Sequence, residues 1–330
     1  MKEIRVNKEI ENQRIDKFVR KYLNLAPLSF IYKLFRKKDV KVNNHWVQAN
    51  YILKNNDNIK IYVTDNQIDE FNKPRNITKI NDVKLDIIYE DQNILVLNKP
   101  KGILVINEDG GSKLALVDLV QSYLFSKGEF KNDGLSYKPS PVHRLDRNTS
   151  GICLFAKNLV TSQTLLNLFK EHDEIDKYYL ALVVGSPNKN TGLIDLPLLK
   201  NEETRMVKVA SYKDGAKEAK TEYEVIAKND DVSLLKVHLL TGRTHQIRVH
   251  LASIGCPIVG DAKYGDFAFN KKFEHEFNYR NQFLHSYKFS FGKLDGNLAY
   301  LSNRSFIADL PTKEKEILLT YNLKYSLDSL

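Results

Sequence analysis

A carboxylate between two arginines is the feature of this sequence with the clearest chemical use. In HRLDRNTSG, His143 to Gly151, Asp146 lies between Arg144 and Arg147. Nearby cations favour the ionised form of a carboxylate. Such an anion can act as a nucleophile and divide one difficult step into easier ones through a covalent intermediate. An isolated string of this type more often caps a surface turn, so the other motifs must decide between the two interpretations.

A second motif, GRTHQIRVH from Gly242 to His250, is expected to join a strand to a helix. His245 and Arg248 are three residues apart, so they project from nearly the same side of a helix. A helix N-terminus with an added cation suits an anion. A metal site of the HExxH type is not indicated, because His245 and His250 are five residues apart and no Glu lies between them. Taken alone, either histidine has more often a structural role.

A third motif, KYYLALVVG from Lys177 to Gly185, places Tyr178 and Tyr179 at the start of an apolar strand. Neighbouring side chains on a strand face opposite sides, so one ring can pack on the core while the other faces a pocket. Most tyrosines on strands pack against cross-strand neighbours. A ring of this kind is also what a nucleobase stacks on.

Composition limits the classes of protein to be considered. The chain has 330 residues and is 42% hydrophobic, which is enough to form at least one substantial core. Its 50 Lys and Arg against 41 Asp and Glu give a net charge of +9, which suits a polyanionic partner such as nucleic acid. The two cysteines, Cys153 and Cys256, lie in apolar surroundings, which argues against a disulfide framework and favours a reducing compartment.

Several kinds of site and location are not indicated by the sequence. An apolar run of signal-peptide or membrane-spanning length is absent, so we expect a cytoplasmic protein that does not enter a membrane. The phosphate-binding patterns GxGxxG and GxxxxGK[ST] are missing, as is the zinc deaminase pattern. We therefore expect neither a cofactor nor a bound metal.

The elements that position these motifs begin with a small N-terminal α/β domain. Apolar residues from Ile15 to Leu23 recur with helical spacing. A second helix is expected after Pro27, with Ser29 as its cap. Two short strands, 40–42 and 59–63, follow, and Asn43-Asn44 predicts a hairpin turn after the first. One face of the second helix is basic, through Lys33, Arg36 and Lys37; a solvated surface is the alternative interpretation of that face.

The rest of the chain predicts a larger domain with a mainly antiparallel mixed sheet, so that the fold class is α+β. A polar segment, 65–83, predicts a linker between domains at 12–64 and 84–325. Strands are expected at 152–156, 178–184, 221–227, 232–240 and 283–291, and also around Ile94. Helices are expected at 114–125, 161–170 and 244–254, and after Thr312. The β-rich segments are too close together for helical crossovers between all of them, which favours antiparallel pairing.

Taken together, HRLDRNTSG, KYYLALVVG and GRTHQIRVHLASIGCPIVGDAKYG have the order and approximate spacing of the RluA-type pseudouridine synthases, which the chain resembles from about Gln13 to its last strand. Within that family it most resembles members that act on large-subunit ribosomal RNA. The segment RIDKFVRKYLNLAPLSFIYKLFRKKDVKVN resembles the RNA-binding domain first seen in ribosomal protein S-four, with Lys38 and Asp39 where such domains usually have a glycine. The resemblance implies a monomeric, cofactor-independent isomerase that converts uridine to pseudouridine.

The resemblance also implies roles for matching residues. Asp146 corresponds to the catalytic aspartate, Tyr179 to the ring that stacks on the uracil, and Arg248 to the partner that holds Asp146 ionised and oriented. Tyr178 is then the packing residue. Arg144 resembles the residue that fills the space left by the extruded nucleotide, and Leu284 a residue of the pocket wall. The remaining residues expected to contact RNA are His143, Arg243, His245, Lys33, Arg36, Lys37 and Lys38.

Three alternatives stay open at this stage. A non-catalytic RNA-binding or ribosome-assembly protein could keep the fold, although it would not need Asp146. A pseudouridine synthase acting on tRNA would carry the same motifs. A glycoside or nucleoside hydrolase usually needs a second carboxylate at a defined separation, whereas the three motifs supply cations and aromatic rings.

Overall fold

The computed structural model describes residues 1–7, 10–73, 80, 83–107, 114–129, 136–171 and 174–325. Two compact units are distinguished. The first comprises Met1–Lys84, Val117–Ser140 and Ala156–Thr164. The second comprises Leu85–Leu116, Pro141–Phe155 and Leu165–Leu330. The domain boundaries expected from the sequence remain predictions.

The α-helices of the described residues are α1 (Ile15–Tyr22), α2 (Leu28–Arg36), α3 (Asp65–Phe71), α4 (Leu116–Ser126), α5 (Leu159–Glu171), α6 (Gln246–Ser253), α7 (Phe267–Phe277) and α8 (Thr312–Thr320). The strands are β1 (Lys2–Arg5), β2 (Val40–Val42), β3 (His45–Trp46), β4 (Asn58–Ile61), β5 (Ile87–Glu90), β6 (Ile94–Lys99), β7 (Ser140–Pro141), β8 (Ser150–Ala156), β9 (Ile175–Val184), β10 (Thr191–Asp195), β11 (Leu198–Lys200), β12 (Val207–Val209), β13 (Lys220–Lys228), β14 (Val232–Leu239), β15 (Leu284–Phe291) and β16 (Ser305–Ile307).

In the first unit, a four-stranded antiparallel sheet of order β1-β4-β2-β3 accompanies α1 and α2. The predicted apolar stripe of α1 is buried, with Ile15, Phe18 and Val19 fully inaccessible. From α2, Ile31 and Leu34 join the same core. Strand β1 has only one buried side chain, Ile4, and alternation over four residues is too short to predict a strand.

The N-terminus of α2 differs from expectation, and its C-terminus forms a tight turn although the usual glycine is replaced by Lys38 and Asp39. The helix begins at Leu28 with Pro27 as its N-cap, so the cap expected at Ser29 is wrong; the φ of Pro27, −58°, already suits the start of a helix. At the C-terminus, Lys38 adopts φ +60°. Its N–H donates to the carbonyl of Phe35, and the Asp39 N–H donates to that of Leu34, which is the Schellman arrangement formed here without glycine.

The hairpin turn predicted at Asn43-Asn44 is confirmed. Both residues have positive φ, 50° and 68°, and Val42 pairs with His45 across the turn. The segment predicted as a linker begins with helix α3, because Thr64 and Gln67 form a reciprocal capping box that polarity alone did not reveal. Residues 74–79, 81 and 82 of that segment lie outside the described residues.

The second unit is built on a large sheet in which the strands follow the order β10-β13-β14-β9-β15-β8-β6-β5, with β16 beside β15. Pairing is antiparallel from β10 to β15 and between β5 and β6, whereas β15 and β8 run parallel. The expected α+β class and mainly antiparallel mixed sheet are therefore confirmed. The centre of β9, Leu180 to Val183, is fully buried and holds the middle of the sheet rigidly in place.

The expected helices and strands of the larger part of the chain are confirmed, with ends that move by a few residues. Helix α7 was not predicted; Asp266 caps it by accepting a hydrogen bond from the Phe269 N–H, and Phe273 and Phe277 are its buried residues. A helix with both the length and the apolar character to cross a bilayer does not occur in the part of the chain that the structure describes.

Candidate functional site

The segment that carries Asp146 leads directly into β8 and is tied to the residues that follow β6. The buried Lys99 ammonium donates to the Arg147 carbonyl at 3.1 Å. The Gly102 N–H donates to the same carbonyl at 2.9 Å, and the Arg147 Nε donates back to the Gly102 carbonyl at 2.9 Å. These bonds fix the backbone next to Asp146, whose side chain remains 28% exposed. The carboxylate is thus held in place while it can still be reached from outside.

Gly151, the last residue of the first motif, allows β8 to approach β15 closely. Its φ is +107°, and a Cβ atom there would lie 2.2 Å from the Ser286 carbonyl oxygen. Ser286 pairs with Gly151 on one side and with Tyr179 of β9 on the other. This close pairing places the segment that precedes β8 near the start of β9.

Asp146 forms an ion pair with an arginine that is itself clamped by a second carboxylate. Arg248 Nη1 donates to Asp146 Oδ2 at 2.8 Å across 102 residues of sequence. The Arg248 Nε and Nη2 donate to Asp261 Oδ2 and Oδ1 at 2.7 and 2.8 Å. This bidentate contact prevents rotation of the guanidinium and aims its third nitrogen at Asp146. Arg144 and Arg147, the neighbours in sequence, have exposed side chains.

Asp261 has a fully buried side chain whose oxygens are well supplied with donors. Its Oδ1 also accepts hydrogen bonds from the backbone N–H groups of Lys263 and Tyr264. Burial alone would raise the pKa of Asp261, but the hydrogen bonds and charge of Arg248 and the two N–H groups lower it. Asp261 is therefore an anion that balances Arg248 from the side opposite Asp146.

Arg248 stays charged in spite of its burial. Burial alone would lower its pKa, but the hydrogen bonds and charges of Asp261 and Asp146 raise it above the usual value. The guanidinium carbon lies 5.2 Å from the centre of the Tyr264 ring, which adds a cation–π contact. Asp261 thus fixes the Arg248 guanidinium through two nitrogens, and the third nitrogen, Nη1, binds Asp146.

His245, at the N-cap of α6, lies close to the same oxygen of Asp146 that Arg248 contacts. Its Nε2 is 3.9 Å from Asp146 Oδ2, and its Nδ1 is 2.9 Å from the Tyr264 hydroxyl. The φ of His245 is +52°, which is unusual for a residue other than glycine and marks a constrained position. Burial lowers its pKa, partly opposed by the charge of Asp146, so the ring tends to be neutral. We call Asp146, Arg248, Asp261, His245 and Tyr264 the Asp146 cluster.

The two tyrosines of the third motif face opposite sides of β9, as expected from strand geometry. Tyr178 stacks on His238 at 4.5 Å between ring centres and is half-buried. Tyr179 is 6% exposed and its hydroxyl is hydrogen-bonded to Ser286. Burial, to which the charge of Asp146 adds, raises the pKa of Tyr179, so its hydroxyl stays protonated. Tyr179 is the member of the pair that lies within the electrostatic reach of Asp146.

The other predicted residues of the second unit differ in burial and in their hydrogen-bond partners. Leu284 is buried at the start of β15, opposite Ala181. Arg243 donates through Nε to the Glu218 carbonyl at 2.9 Å, and its N–H donates to Gln246. Arg144 is exposed on the same segment as Asp146.

His143 has a packed position. Its ring packs against those of Phe169 and Phe289, at 5.2 and 6.1 Å between ring centres, and its Nε2 accepts a hydrogen bond from the Leu154 N–H. Burial lowers its pKa to about 3, so it is neutral at physiological pH. This geometry orders the start of the HRLDRNTSG segment on β8.

The four predicted cations of the first unit are exposed on or just after the C-terminal half of α2. They are Lys33, Arg36, Lys37 and Lys38. We call these four residues the cationic face. The structure brings together Asp146, Arg248 and His245, and the strand pairing of Tyr179 with Ser286 and of Ser286 with Gly151 connects Tyr179 to the same motif. The cationic face lies in the other unit.

Asp261 and Tyr264 were not singled out by the sequence reasoning, although both lie in the segment GDAKYG that carried part of the resemblance. A signal was present in the sequence. The apolar stretch CPIVG places Asp261 directly after a segment expected to be buried, and a buried carboxylate requires a cationic partner. The sequence alone could not identify that partner as Arg248, because the contact depends on how α6 packs.

Comparisons with known proteins agree on one family. The pattern of the family described as RNA pseudouridylate synthase matches residues 93–253, which include HRLDRNTSG, KYYLALVVG and GRTHQIRVH. A relative from Mycoplasma capricolum, named as an uncharacterized RNA pseudouridine synthase, is 37% identical over 92% of this chain and 95% of its own length. The ribosomal large subunit pseudouridine synthase C of Vibrio cholerae is 34% identical over 87% of this chain and 88% of its own length.

A solved structure supports the fold. The human RNA pseudouridylate synthase domain containing 4 superposes with a TM-score of 0.58, covering 72% of this chain and 94% of its own. The two sequences are 23% identical, so this likeness concerns the arrangement of the backbone.

Proposed function

The chain belongs to the RluA-type family of RNA pseudouridine synthases, and from this premise we propose that it isomerises specific uridines of large-subunit ribosomal RNA, with Asp146 as the nucleophile toward a uridine extruded from its helix. The substrate is suggested by relatives whose names refer to the large ribosomal subunit. The observation that supports the role of Asp146 is its position. It is a partly exposed carboxylate that forms an ion pair with Arg248, and the Arg248 guanidinium is fixed by a second ion pair with buried Asp261.

The chemistry needs a fixed anion and no redox partner. The bond between the ribose C1′ and the uracil N1 breaks, the base turns, and C1′ bonds to the uracil C5. The proton of C5 is lost, N1 gains a proton, and no group is added overall. A carboxylate nucleophile divides this rearrangement into smaller steps. Addition to the uracil ring, attack at the ribose and proton removal through a glycal are all compatible with Asp146 in this role.

Arg248 and Asp261 supply the positioning in this proposal. Because the guanidinium is held at two nitrogens by Asp261, it does not turn toward solvent when the substrate enters. Asp146 therefore keeps one orientation, and little reorganisation is needed at the moment of reaction. His245, 3.9 Å from Asp146, contributes a polar contact, and burial lowers its pKa and so disfavours a second full positive charge beside Arg248.

The extruded base is proposed to stack on Tyr179. Tyr179 pairs with Ser286, which in turn pairs with Gly151 of the Asp146 motif, so we expect a uracil on this ring to lie close to Asp146. Leu284, one strand away, would form part of the wall. Extrusion costs a few kcal/mol, and the exposed Arg144 would offset part of that cost by taking the place of the lost base. Arg243 and His143 would act by ordering the two motifs in which they lie.

The decisive experiment measures tritium release from ribosomal RNA labelled at the uracil C5. Wild-type protein should release tritium, and Asp146→Asn should lower the rate by more than about 10³-fold because the amide is not a nucleophile. Asp214→Asn, an exposed aspartate of the same unit, is the matched control and should keep the parent rate. RNA binding, measured in parallel, should be unchanged in both variants. Release by Asp146→Asn at the parent rate would contradict the nucleophile.

The RNA class is tested separately, by mapping pseudouridines in cells with and without this gene. Loss of sites from large-subunit ribosomal RNA is the expected result. Loss confined to tRNA would overturn the proposed substrate and leave the reaction type intact. The cytoplasmic location and the monomeric state expected from the sequence remain predictions.

A further inference from the structure

An aromatic cleft in the first unit has no part in the chemistry at Asp146. It has a volume of about 460 Å³, which is within the size range of small-ligand sites. It lies between α2 and the residues at and after β3. Its lining includes Tyr32, Phe35, Arg36, Trp46, Val47 and Gln48.

Two large aromatic side chains of this cleft are unusually exposed. Trp46 is 53% exposed and Tyr32 is 47% exposed, while Ile31 and Leu34 of the same helix are buried. Helix α2 thus presents Ile31 and Leu34 to the core, and Tyr32 at the cleft is not one of the residues packed there. Exposed aromatic rings that adjoin one another mark binding surfaces more often than single exposed apolar residues do.

Cations outnumber carboxylates in the segment that forms the cleft. From residue 28 to residue 62 the sequence contains seven Lys and Arg, two Asp and no Glu. One of the two carboxylates, Asp57, already accepts hydrogen bonds from Asn43, Tyr51 and the Lys54 N–H. Arg36 itself lines the cleft, and the Lys38 ammonium lies 5.0 Å from the centre of the Trp46 ring. The complementary ligand is therefore an anion that also presents flat rings.

Flat rings that alternate with negative charges are the chemistry of a single-stranded nucleic acid. In a duplex the rings are stacked on each other and only the edges are accessible, so a duplex would use the cations but not Trp46. An acidic protein segment would supply the charge without a regular supply of rings. The combination of Trp46, Tyr32 and the adjoining cations favours an unpaired strand.

We propose that this cleft binds an unpaired nucleobase of the RNA, stacked against Trp46, with neighbouring phosphates on Arg36 and Lys38. The proposal rests on the proposed function in that the ligand is RNA, and it adds a second base-binding site of a different kind. This site holds a strand that is not modified, and it reads whether the RNA is paired rather than which uridine is present. Gln48 at the rim can exchange hydrogen bonds with the edge of the base.

The chain provides its own reporter, since Trp46 is its only tryptophan. Full-length protein is titrated with a strand of about ten nucleotides containing only A and C, a length typical of such sites, and tryptophan emission is followed. The strand lacks uridine, so isomerisation cannot contribute. We expect the single strand to quench the emission and the same strand in a duplex to leave it largely unchanged. Equal quenching by both, or unchanged emission while the strand is bound, would overturn the proposal.

Variants give an independent measurement. Trp46→Leu should weaken binding of the single strand by about tenfold or more, and Trp46→Phe should restore most of the affinity, because stacking needs a ring. Phe267→Leu removes a side chain that is 66% exposed in the other unit and is the matched control. An affinity of Trp46→Leu equal to that of the control would contradict the site.

The two proposals fail in distinguishable ways. If tritium release depends on Asp146 but Trp46 does not respond to the single strand, the cleft is not a base site and the proposed function stands. If Trp46 responds as expected but Asp146→Asn releases tritium normally, the cleft stands and the nucleophile is wrong.

Discussion

In the Asp146 cluster each charge has a defined partner at 2.7 to 2.8 Å, whereas the cations of the cationic face lie exposed to solvent. Buried charges interact strongly and only in one geometry, because water cannot replace a lost partner. Exposed cations interact weakly and through long-range attraction, and each one can substitute for another. The first arrangement suits a reaction that needs one orientation; the second suits attachment to a polyanion of variable contour.

This comparison predicts unequal consequences for single substitutions. In the Asp146 cluster, one change should disturb the other members. In the cationic face, a single substitution should be tolerated, and only the combined loss of several cations should weaken RNA binding. The following predictions test that difference from the largest expected effect to the smallest.

After Asp146→Asn itself, the largest effect is expected for Asp261→Asn. The amide cannot hold the Arg248 fork at both nitrogens, so Arg248 and then Asp146 lose their orientation; kcat should fall by about 10²-fold, with little change in KM. The free energy of unfolding should fall by about 3 kcal/mol, because buried Arg248 keeps only one of its two carboxylate partners. Steady-state kinetics of tritium release and urea unfolding measure the two quantities. Asp214→Asn is the control, and a kcat for Asp261→Asn equal to that of the control would show that Asp261 does not position Arg248.

An intermediate effect is expected for the pH dependence of stability, through a buried histidine of the second unit. His285 of β15 is fully buried between the Ser150 hydroxyl and the Ala308 carbonyl, and burial lowers its pKa to about 4. Between pH 6.5 and about 4 the unfolded chain binds a proton at this residue that the folded chain does not. Stability from this group is therefore complete above pH 6.5 and is lost as the pH falls, by up to about 1.4 kcal/mol per pH unit.

Urea unfolding of wild-type protein and His285→Asn at pH 7 and pH 5 checks this expectation. The variant keeps a polar side chain that does not titrate, so its stability should decline less over the interval. A decline as steep as that of the wild type would assign the acid sensitivity to other groups.

The smallest effects belong to the cationic face. Any one of Lys33→Gln, Arg36→Gln, Lys37→Gln or Lys38→Gln should change the affinity for ribosomal RNA by less than about threefold. Changing all four together should make log K depend less steeply on log salt, by up to about 3 in the slope. Each phosphate contact contributes about 0.7 to 0.9 to that slope. A variant with Lys271, Lys272, Lys293 and Lys313 changed to Gln has the same net charge and controls for charge alone. Equal slopes in the two fourfold variants would show that the cationic face is not an RNA contact.

Much of the architecture followed from local patterns. The stripe of α1, the hairpin turn at Asn43-Asn44 and the dense β segments of the second unit are short-range features, since periodicity and turn chemistry act over a few residues. The cap of α2 and helix α3 were missed because prolines and reciprocal side-chain caps compete locally with a more obvious serine or with simple polarity.

The sequence by itself determined the type of chemistry, because the three motifs contain an aspartate, a tyrosine and an arginine in the order and approximate spacing of the RluA-type family. The charges next to Asp146 did not reveal which guanidinium it uses, and Arg248 was expected only from the family resemblance. Arg144 and Arg147 are adjacent in the chain, yet the contact at 2.8 Å comes from Arg248, 102 residues away. Only the tertiary structure showed this contact, and with it the contact of Asp261 with the same guanidinium. Side chains on neighbouring residues of an irregular segment diverge, whereas the packing of α6 and the pairing of β8 with β15 bring distant residues to a single place.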